Sequence, residues 1–197
     1  IMLLNEQGIL AVKNTTALNE HAQSINLHIQ QIIEETGIAL STLQAVCVMN
    51  GPGSYTGLRI GLASAKGICY ANNTPLLLFN QLDLMRNCHT NHAHDSAYIL
   101  KARDNEYFFT SDDVSSNQAT LLTKEELEAF IQNKRYQLYT SDELLLNDFS
   151  FIQFIPISEN CIHRVAFTLF LQKKFADLMH SEPFYLKNVY INKINKL

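Results

Sequence analysis

Apolar residues along the chain fall into short blocks, some alternating as strands do and some recurring every three to four positions as helix faces do. Ile1-Met2-Leu3-Leu4 and Ile9-Leu10-Ala11-Val12 flank the polar run Asn5-Glu6-Gln7-Gly8, which predicts a hairpin. A strand starting at the first residue, with no polar lead-in, leads us to expect that upstream sequence is missing. A helix is predicted over Ala17–Thr36. Leu18, Ala22, Ile25, Ile29 and Ile32 share one stripe, Thr15 or Thr16 can cap the start, and Gly37 stands where a left-handed C-terminal cap belongs. Ala45–Met49 is a short continuous apolar run, typical of a strand covered on both faces. A glycine-rich loop, a helix over Tyr55–Asn72, a turn at Asn73-Thr74-Pro75 and a second buried strand at Leu76–Phe79 follow. Strand, helix and strand at this spacing predict a right-handed crossover and a parallel portion of sheet.

Beyond Asn80 the texture changes. Gln81–Asp95 is polar and rich in histidine, with no predicted element. Tyr98–Ala102 and Tyr107–Ser111 predict paired strands around Arg103-Asp104-Asn105, and Thr123-Lys124-Glu125-Glu126 is a capping box for a helix through Lys134. Tyr136–Tyr139 and Phe151–Ile155 predict strands, Cys161–His180 a long helix, and Pro183–Tyr190 an extended tail. A boundary near residue 95 divides the chain into an N-terminal subdomain, 1–95, and a smaller C-terminal one, 96–197.

At 197 residues, 47% hydrophobic and 17% charged, the chain can bury an ordinary globular core. A net charge of −4 argues against holding nucleic acid alone by counterion release, though not against joining a complex that supplies positive surface. No apolar run approaches the roughly 20 residues of a membrane span, and no secretory leader is visible. Cys47, Cys69, Cys88 and Cys161 show no C-x-x-C spacing and are expected as reduced thiols in a cytoplasm.

The loop Gly51-Pro52-Gly53-Ser54-Tyr55-Thr56-Gly57 fails three tests for chemistry. From Gly51 the spacing to Gly57 is one residue too long for a P-loop, and Leu58-Arg59 follows where Lys-Ser/Thr belongs. Thr56 stands where a dinucleotide fingerprint needs glycine, and Ser54 has Pro52 and Thr56 where a nucleophile elbow needs two glycines. Two readings of Gly51, Gly53, Ser54 and Thr56 remain open: an anion held at the helix N-terminus, or simple capping by Ser54 or Thr56.

The helix itself says more. Gly57, Gly61, Ser64 and Ala65 line one side, Ala63, Gly67 and Ala71 the adjoining one, and Leu58, Leu62 and Cys69 another. Tyr55, Arg59, Lys66 and Tyr70 form a narrow polar strip. Three internal glycines cost roughly 3 kcal/mol against alanine, an expense that close backbone approach ordinarily explains. A helix resting on one sheet needs an apolar stripe a little over 100° wide. The excess here predicts a second packing surface, either the preceding helix or another subunit.

"GPGSYTGLRIGLASAKG" (Gly51–Gly67), "KARDNEYFF" (Lys101–Phe109) and "SEPFYLKN" (Ser181–Asn188) together resemble the TsaB family, also known as YeaZ or glycoprotease-like, of tRNA threonylcarbamoyladenosine synthesis. The resemblance implies an α/β fold of the actin-like ATPase (ASKHA, ribonuclease H-like) type, with a well-formed N-terminal half and a degenerate C-terminal half. The family's opening strand, with its Ile-Asp-Thr-Ala motif, has no counterpart here, so the loop where actin-like proteins grip a phosphate is lacking. The catalytic relative, TsaD, carries Asn-His-x-x-x-His after the next strand, where this chain has "NQLDLM", with Gln81 and Met85 in place of the histidines. An amide and a thioether are poor ligands for a hard or borderline metal, so neither cofactor nor catalytic metal is expected.

What the resemblance implies is therefore a non-catalytic subunit for threonylcarbamoyl transfer to adenosine 37 of tRNA. It pairs with TsaD through the two N-terminal helices, is joined by TsaE, meets tRNA only through the complex, and forms a homodimer alone. On this expectation Gly57, Gly61 and Ala65 permit close approach while Leu58, Leu62 and Ile25 supply desolvated area. The alternative is a metal-dependent peptidase or a small-molecule kinase of the actin-like superfamily. His89, His92 and His94 lie in one short loop, too compressed for structural zinc, and are expected to bind metal adventitiously at most.

Overall fold

The computed structural model describes residues 1–14, 21–89, 95–112, 119–133, 136–149 and 151–185. Strands β1 (Met2–Asn5) and β2 (Gly8–Val12) form the hairpin. Its turn is set by Asn5, whose Oδ1 accepts from the Gln7 and Gly8 amides at 2.9 and 3.0 Å. Helix α1 (His21–Thr36) buries Ile32 and ends at Gly37, whose φ of +68° is the left-handed cap the sequence implied. Strand β3 (Val46–Gly51), helix α2 (Tyr55–Asn72) and strand β4 (Leu76–Asn80) make the crossover, with β3 and β4 parallel. Asn73, at φ +52°, stops α2, and its amide donates to the Cys69 carbonyl.

Helix α3 (Gln81–Cys88) starts directly after β4. No helix was predicted there, because Leu82, Leu84 and Met85 are diluted by five polar or sulfur side chains. Those three nevertheless face inward and are buried, and Asn80 caps the helix by accepting from the Leu82 amide at 2.8 Å. Strands β5 (Ser96–Lys101), β6 (Glu106–Ser111) and β7 (Thr120–Thr123) then run antiparallel in sequence. Helix α4 (Lys124–Asn133) opens with the predicted reciprocal box. Glu126 accepts from the Thr123 amide at 2.8 Å, and Thr123 accepts from the Glu126 amide at 3.2 Å. Strand β8 (Gln137–Thr140), the single turn α5 (Leu145–Asp148) and strand β9 (Ile152–Phe154) complete a five-stranded sheet of order β7-β6-β5-β8-β9, in which β5, β8 and β9 are parallel.

Helix α6 (Glu159–Leu171) stops nine residues short of His180, the predicted end. Lys173 takes φ +53° and the Lys173 and Lys174 amides turn back to the Phe170 and Leu169 carbonyls, because Gln172-Lys173-Lys174 offers no apolar side chain to bury. The chain then adds strand β10 (Phe175–Ala176) antiparallel to the outer edge of β4. The first-half strands thus make two pieces, β1-β2 and β10-β4-β3. The resemblance led us to expect a well-formed first half and a degenerate second, yet the larger and more continuous sheet is the second one.

Three apolar clusters fill the interior. Leu62, Ala65, Cys69 and Leu76 join α2 to the first sheet. Leu82, Met85, Tyr98, Leu100 and Tyr139 set α3 against the second sheet, and Leu127, Leu138, Leu145 and Ile152 lie beneath α4 and α5. Helices α3 and α6 pack together between the halves and are joined by a Cys88–Cys161 disulfide with Cα atoms 5.6 Å apart. This corrects the expectation of four free thiols. The bridge closes a loop 73 residues in sequence separation, which no spacing pattern reveals; Cys47 and Cys69 alone are free.

Candidate functional site

The glycine loop begins where β3 ends. Gly51 and Pro52 are buried and joined by a cis peptide. Gly51 has φ +132°, and a Cβ there would sit 3.0 Å from the Phe184 carbonyl oxygen and 3.2 Å from Leu58 Cδ1, so this position requires glycine. Phe184 belongs to the returning C-terminal segment, and its amide donates to the Asn50 carbonyl at 2.7 Å. Gly53 is under no such constraint. Ser54 caps α2, its Oγ accepting from the Gly57 amide at 3.3 Å, so its hydroxyl is engaged in helix initiation; Thr56 is exposed.

The same segment continues over the first turns of α2. Arg59 Nε donates to the Tyr185 hydroxyl at 2.9 Å while its guanidinium lies 4.1 Å from the centre of the Tyr55 ring, and the Tyr55 and Tyr185 rings stand 5.3 Å apart. Lys66 Nζ donates to the Met179 and Ser181 carbonyls, each at 3.1 Å. The polar strip of α2 is thus a clamp for residues 179–185. Sequence reasoning marked "SEPFYLKN" as a tail but gave no sign of what it covers.

Five of the six residues expected at an interface fall differently from the expectation. Leu58, Leu62 and Ala65 are buried within the chain, so they cannot supply area to a partner. A Cβ on Gly61 would lie 3.7 Å from Val48 Cγ2, in ordinary contact with the protein's own sheet, and one on Gly57 would meet Ser54 at 3.5 Å. Ile25 is half-buried on α1. The helix was apolar or small nearly all round, so its sequence could not say which side met the sheet. The side left open carries Arg59, Ala63, Gly67, Tyr70 and Ala71, with Tyr70 79% exposed and nothing within 4 Å of a Cβ built on Gly67. Leu27 of α1, 52% exposed, is also uncovered.

A cleft of about 330 Å³ opens beside the loop, lined by Pro52, Gly53 and Gln81 from the first half and by Leu100, Lys101, Phe108, Ser141, Asp142 and Glu143 from the second. Lys101 is paired with Asp148 at 2.7 Å, which raises its affinity for the proton. Ser141 Oγ and Asn50 Oδ1 are buried without a hydrogen-bond partner among the described residues. No cysteine or histidine lines the cleft, and burial pushes the Cys47 thiol up to about 12, leaving it protonated and non-nucleophilic at neutral pH.

Gln81 borders the cleft, whereas Met85 is fully buried in the core cluster against the second sheet. Among the described residues no three His, Cys, Asp or Glu side chains are grouped to hold a metal ion. His89 is buried, its Nδ1 3.2 Å from the Tyr98 hydroxyl and its ring 4.0 Å from that of Tyr139; His92 and His94 lie outside the described residues. No helix among the described residues is long and apolar enough to cross a membrane.

A family model described as TsaD, tRNA N6-adenosine threonylcarbamoyltransferase, matches residues 10–193. The chain is 28% identical over 99 residues to the tRNA threonylcarbamoyladenosine biosynthesis protein TsaB of Haemophilus influenzae, a match covering 49% of this chain and 42% of that protein. It is 39% identical over 66 residues to the tRNA N6-adenosine threonylcarbamoyltransferase of Streptococcus mutans, covering 34% of this chain and 20% of that one. The chain therefore spans less than half the length of these two relatives. Against the Escherichia coli TsaB it is 25% identical over 193 residues, covering 86% of this chain and 81% of that protein. Two solved structures superpose over 94% of the chain: a Pseudomonas aeruginosa protein described as similar to peptidase YeaZ (TM-score 0.71, 19% identity, 93% of that chain) and YeaZ from Pseudomonas aeruginosa (0.68, 18%, 92%). At these identities the likeness carries the fold, an α/β architecture of the actin-like type.

Proposed function

The chain belongs to the TsaD family, tRNA N6-adenosine threonylcarbamoyltransferase, and from that premise we propose that it is the TsaB-type, non-catalytic partner in threonylcarbamoyl transfer to adenosine 37 of tRNA. It acts in the cytoplasm, pairs with a TsaD subunit and is joined by TsaE; tRNA is met through the complex. Residues 1–95 and 96–197 are its two subdomains. The observation that carries the proposal is the uncovered side of α2. Ala63, Gly67 and Ala71 leave its backbone accessible while Tyr70 stands out as an aromatic anchor, the combination that lets a second helix approach closely and bury area. Leu27 extends the patch, and a homodimer formed in isolation uses the same surface.

The non-catalytic part of the proposal is supported by the side chains where TsaD carries its two histidines. Met85 is fully buried and Gln81 presents an amide. Ser54, the nucleophile a peptidase would need, is occupied as a cap. The test is reconstitution: the chain, its TsaD, TsaE, tRNA and a threonylcarbamoyl-adenylate donor are mixed, and modified adenosine is measured with each protein omitted in turn. Modification that requires this chain together with TsaD is expected. Modification by this chain without TsaD, or by TsaD and TsaE at full rate without this chain, contradicts the proposal.

A further inference from the structure

The two halves repeat one order of elements. In the second, β6, β7, α4, β8, α5, β9 and α6 follow one another, and in the first β1, β2, α1, β3, α2, β4 and α3 do the same. The second half has one strand more, β5, which stands between β6 (antiparallel) and β8 (parallel). By the same correspondence, one strand's place lies between β1 and β3. Both of the edges facing it are unpaired among the described residues: β1 bonds only to β2, and β3 only to β4.

The surroundings of that place are already built. On one side α1 packs on β2 and α2 on β3 and β4, with α1 and α2 in contact. On the other, α6 reaches both β2 and β4, and α3 lies under β3 and β4; His163 of α6 is 2.8 Å from the Asn5 carbonyl at the end of β1. Helices thus span the gap on both faces. Val46-Cys47-Val48-Met49 is the continuous apolar pattern of a strand flanked on both edges, yet all four residues are only half-buried. In β8, the matching strand, Leu138, Tyr139 and Thr140 are all buried. An apolar strand with a free edge under a helical roof is a template for one more strand.

We propose that the slot between β1 and β3 accepts a single extended peptide segment of apolar character, about six residues long as β5 is, running parallel to β3 and antiparallel to β1. Main-chain hydrogen bonds to both edges hold it, and small or β-branched side chains fill the space beneath α2 and above α6. Charged side chains are excluded from its centre, because the faces they would meet are apolar. The pairing function proposed above does not depend on this slot.

Two probes test it on the full chain. One is a free peptide with the sequence of β5, Ser-Ala-Tyr-Ile-Leu-Lys. The other is a fusion that places Ser96–Asn105 (the strand and its turn) ahead of Ile1, so that sequence mismatch is offset by tethering. Hydrogen exchange at the amides of Met2–Asn5 and at those of Val46–Gly51 not bonded to β4 is expected to slow about tenfold or more with at least the fusion. Proline in place of the isoleucine of the added strand should restore fast exchange. Unchanged exchange with both probes overturns the proposal. So does slow exchange in the chain alone with a doubled mass in sedimentation, which gives the slot to a second copy.

Discussion

In the second half of the molecule β5 is enclosed by β6 and β8 and Ser96–Leu100 are all buried, whereas in the first half β1 and β3 keep free edges and none of β1's residues is buried. The two regions follow the same order of elements, so the difference is not one of fold type. It lies in where cohesion comes from. The second half is held by its own sheet and by the cluster around Leu127 and Leu138. The first depends on what lies across it: α2 above, α3 and α6 below, and the returning segment through β10 to Tyr185. A partly open sheet supported by helices leaves those helices as the surface presented to other proteins, and that is the side on which α2 stays uncovered.

The sharpest way to break this contrast is to remove equivalent apolar volume from each half. Leu127→Ala, at a fully buried position, should cost about 2–5 kcal/mol, and Val48→Ala, on the half-buried strand, roughly 1 kcal/mol in urea unfolding. Equal losses would mean that the open sheet is as tightly packed as the closed one. Next in size is the covalent tie between α3 and α6. Cys161→Ser should lower stability by about 2–4 kcal/mol, measured under non-reducing conditions, with the first half losing hydrogen-exchange protection before the second. Gly51→Ala comes third. Its Cβ would crowd Phe184 and Leu58 at positive φ, costing about 1–3 kcal/mol and exposing residues 179–185 to protease, while the second sheet keeps its protection.

Much of this organisation was legible in the sequence because it is local. The hairpin follows from Asn5 and Gly8, the full extent of α2 from the Ser54 cap and the turn at Asn73, and the start of α4 from the Thr123–Glu126 box. The illegible parts are tertiary. Helix α3 is polar in composition and becomes a helix because Leu82, Leu84 and Met85 find two sheets to pack between. The disulfide joins cysteines separated by most of the second half. The orientation of α2 was hidden for a related reason: Leu58, Leu62 and Ala65 could have faced either a sheet or a partner, and the sheet takes them. Small residues on the remaining side were then the ones left outside.

That remaining side supports the central claim, and one substitution addresses it without disturbing the fold. Gly67→Arg adds a long charged side chain where nothing lies within 4 Å, and replacing a mid-helix glycine should, if anything, raise stability by up to about 1 kcal/mol. Binding of this variant to TsaD, measured by titration calorimetry beside the unsubstituted chain, should fall at least about tenfold with the melting temperature unchanged or higher. Unaltered affinity in a folded Gly67→Arg protein would contradict the assignment of α2's open side as the pairing surface.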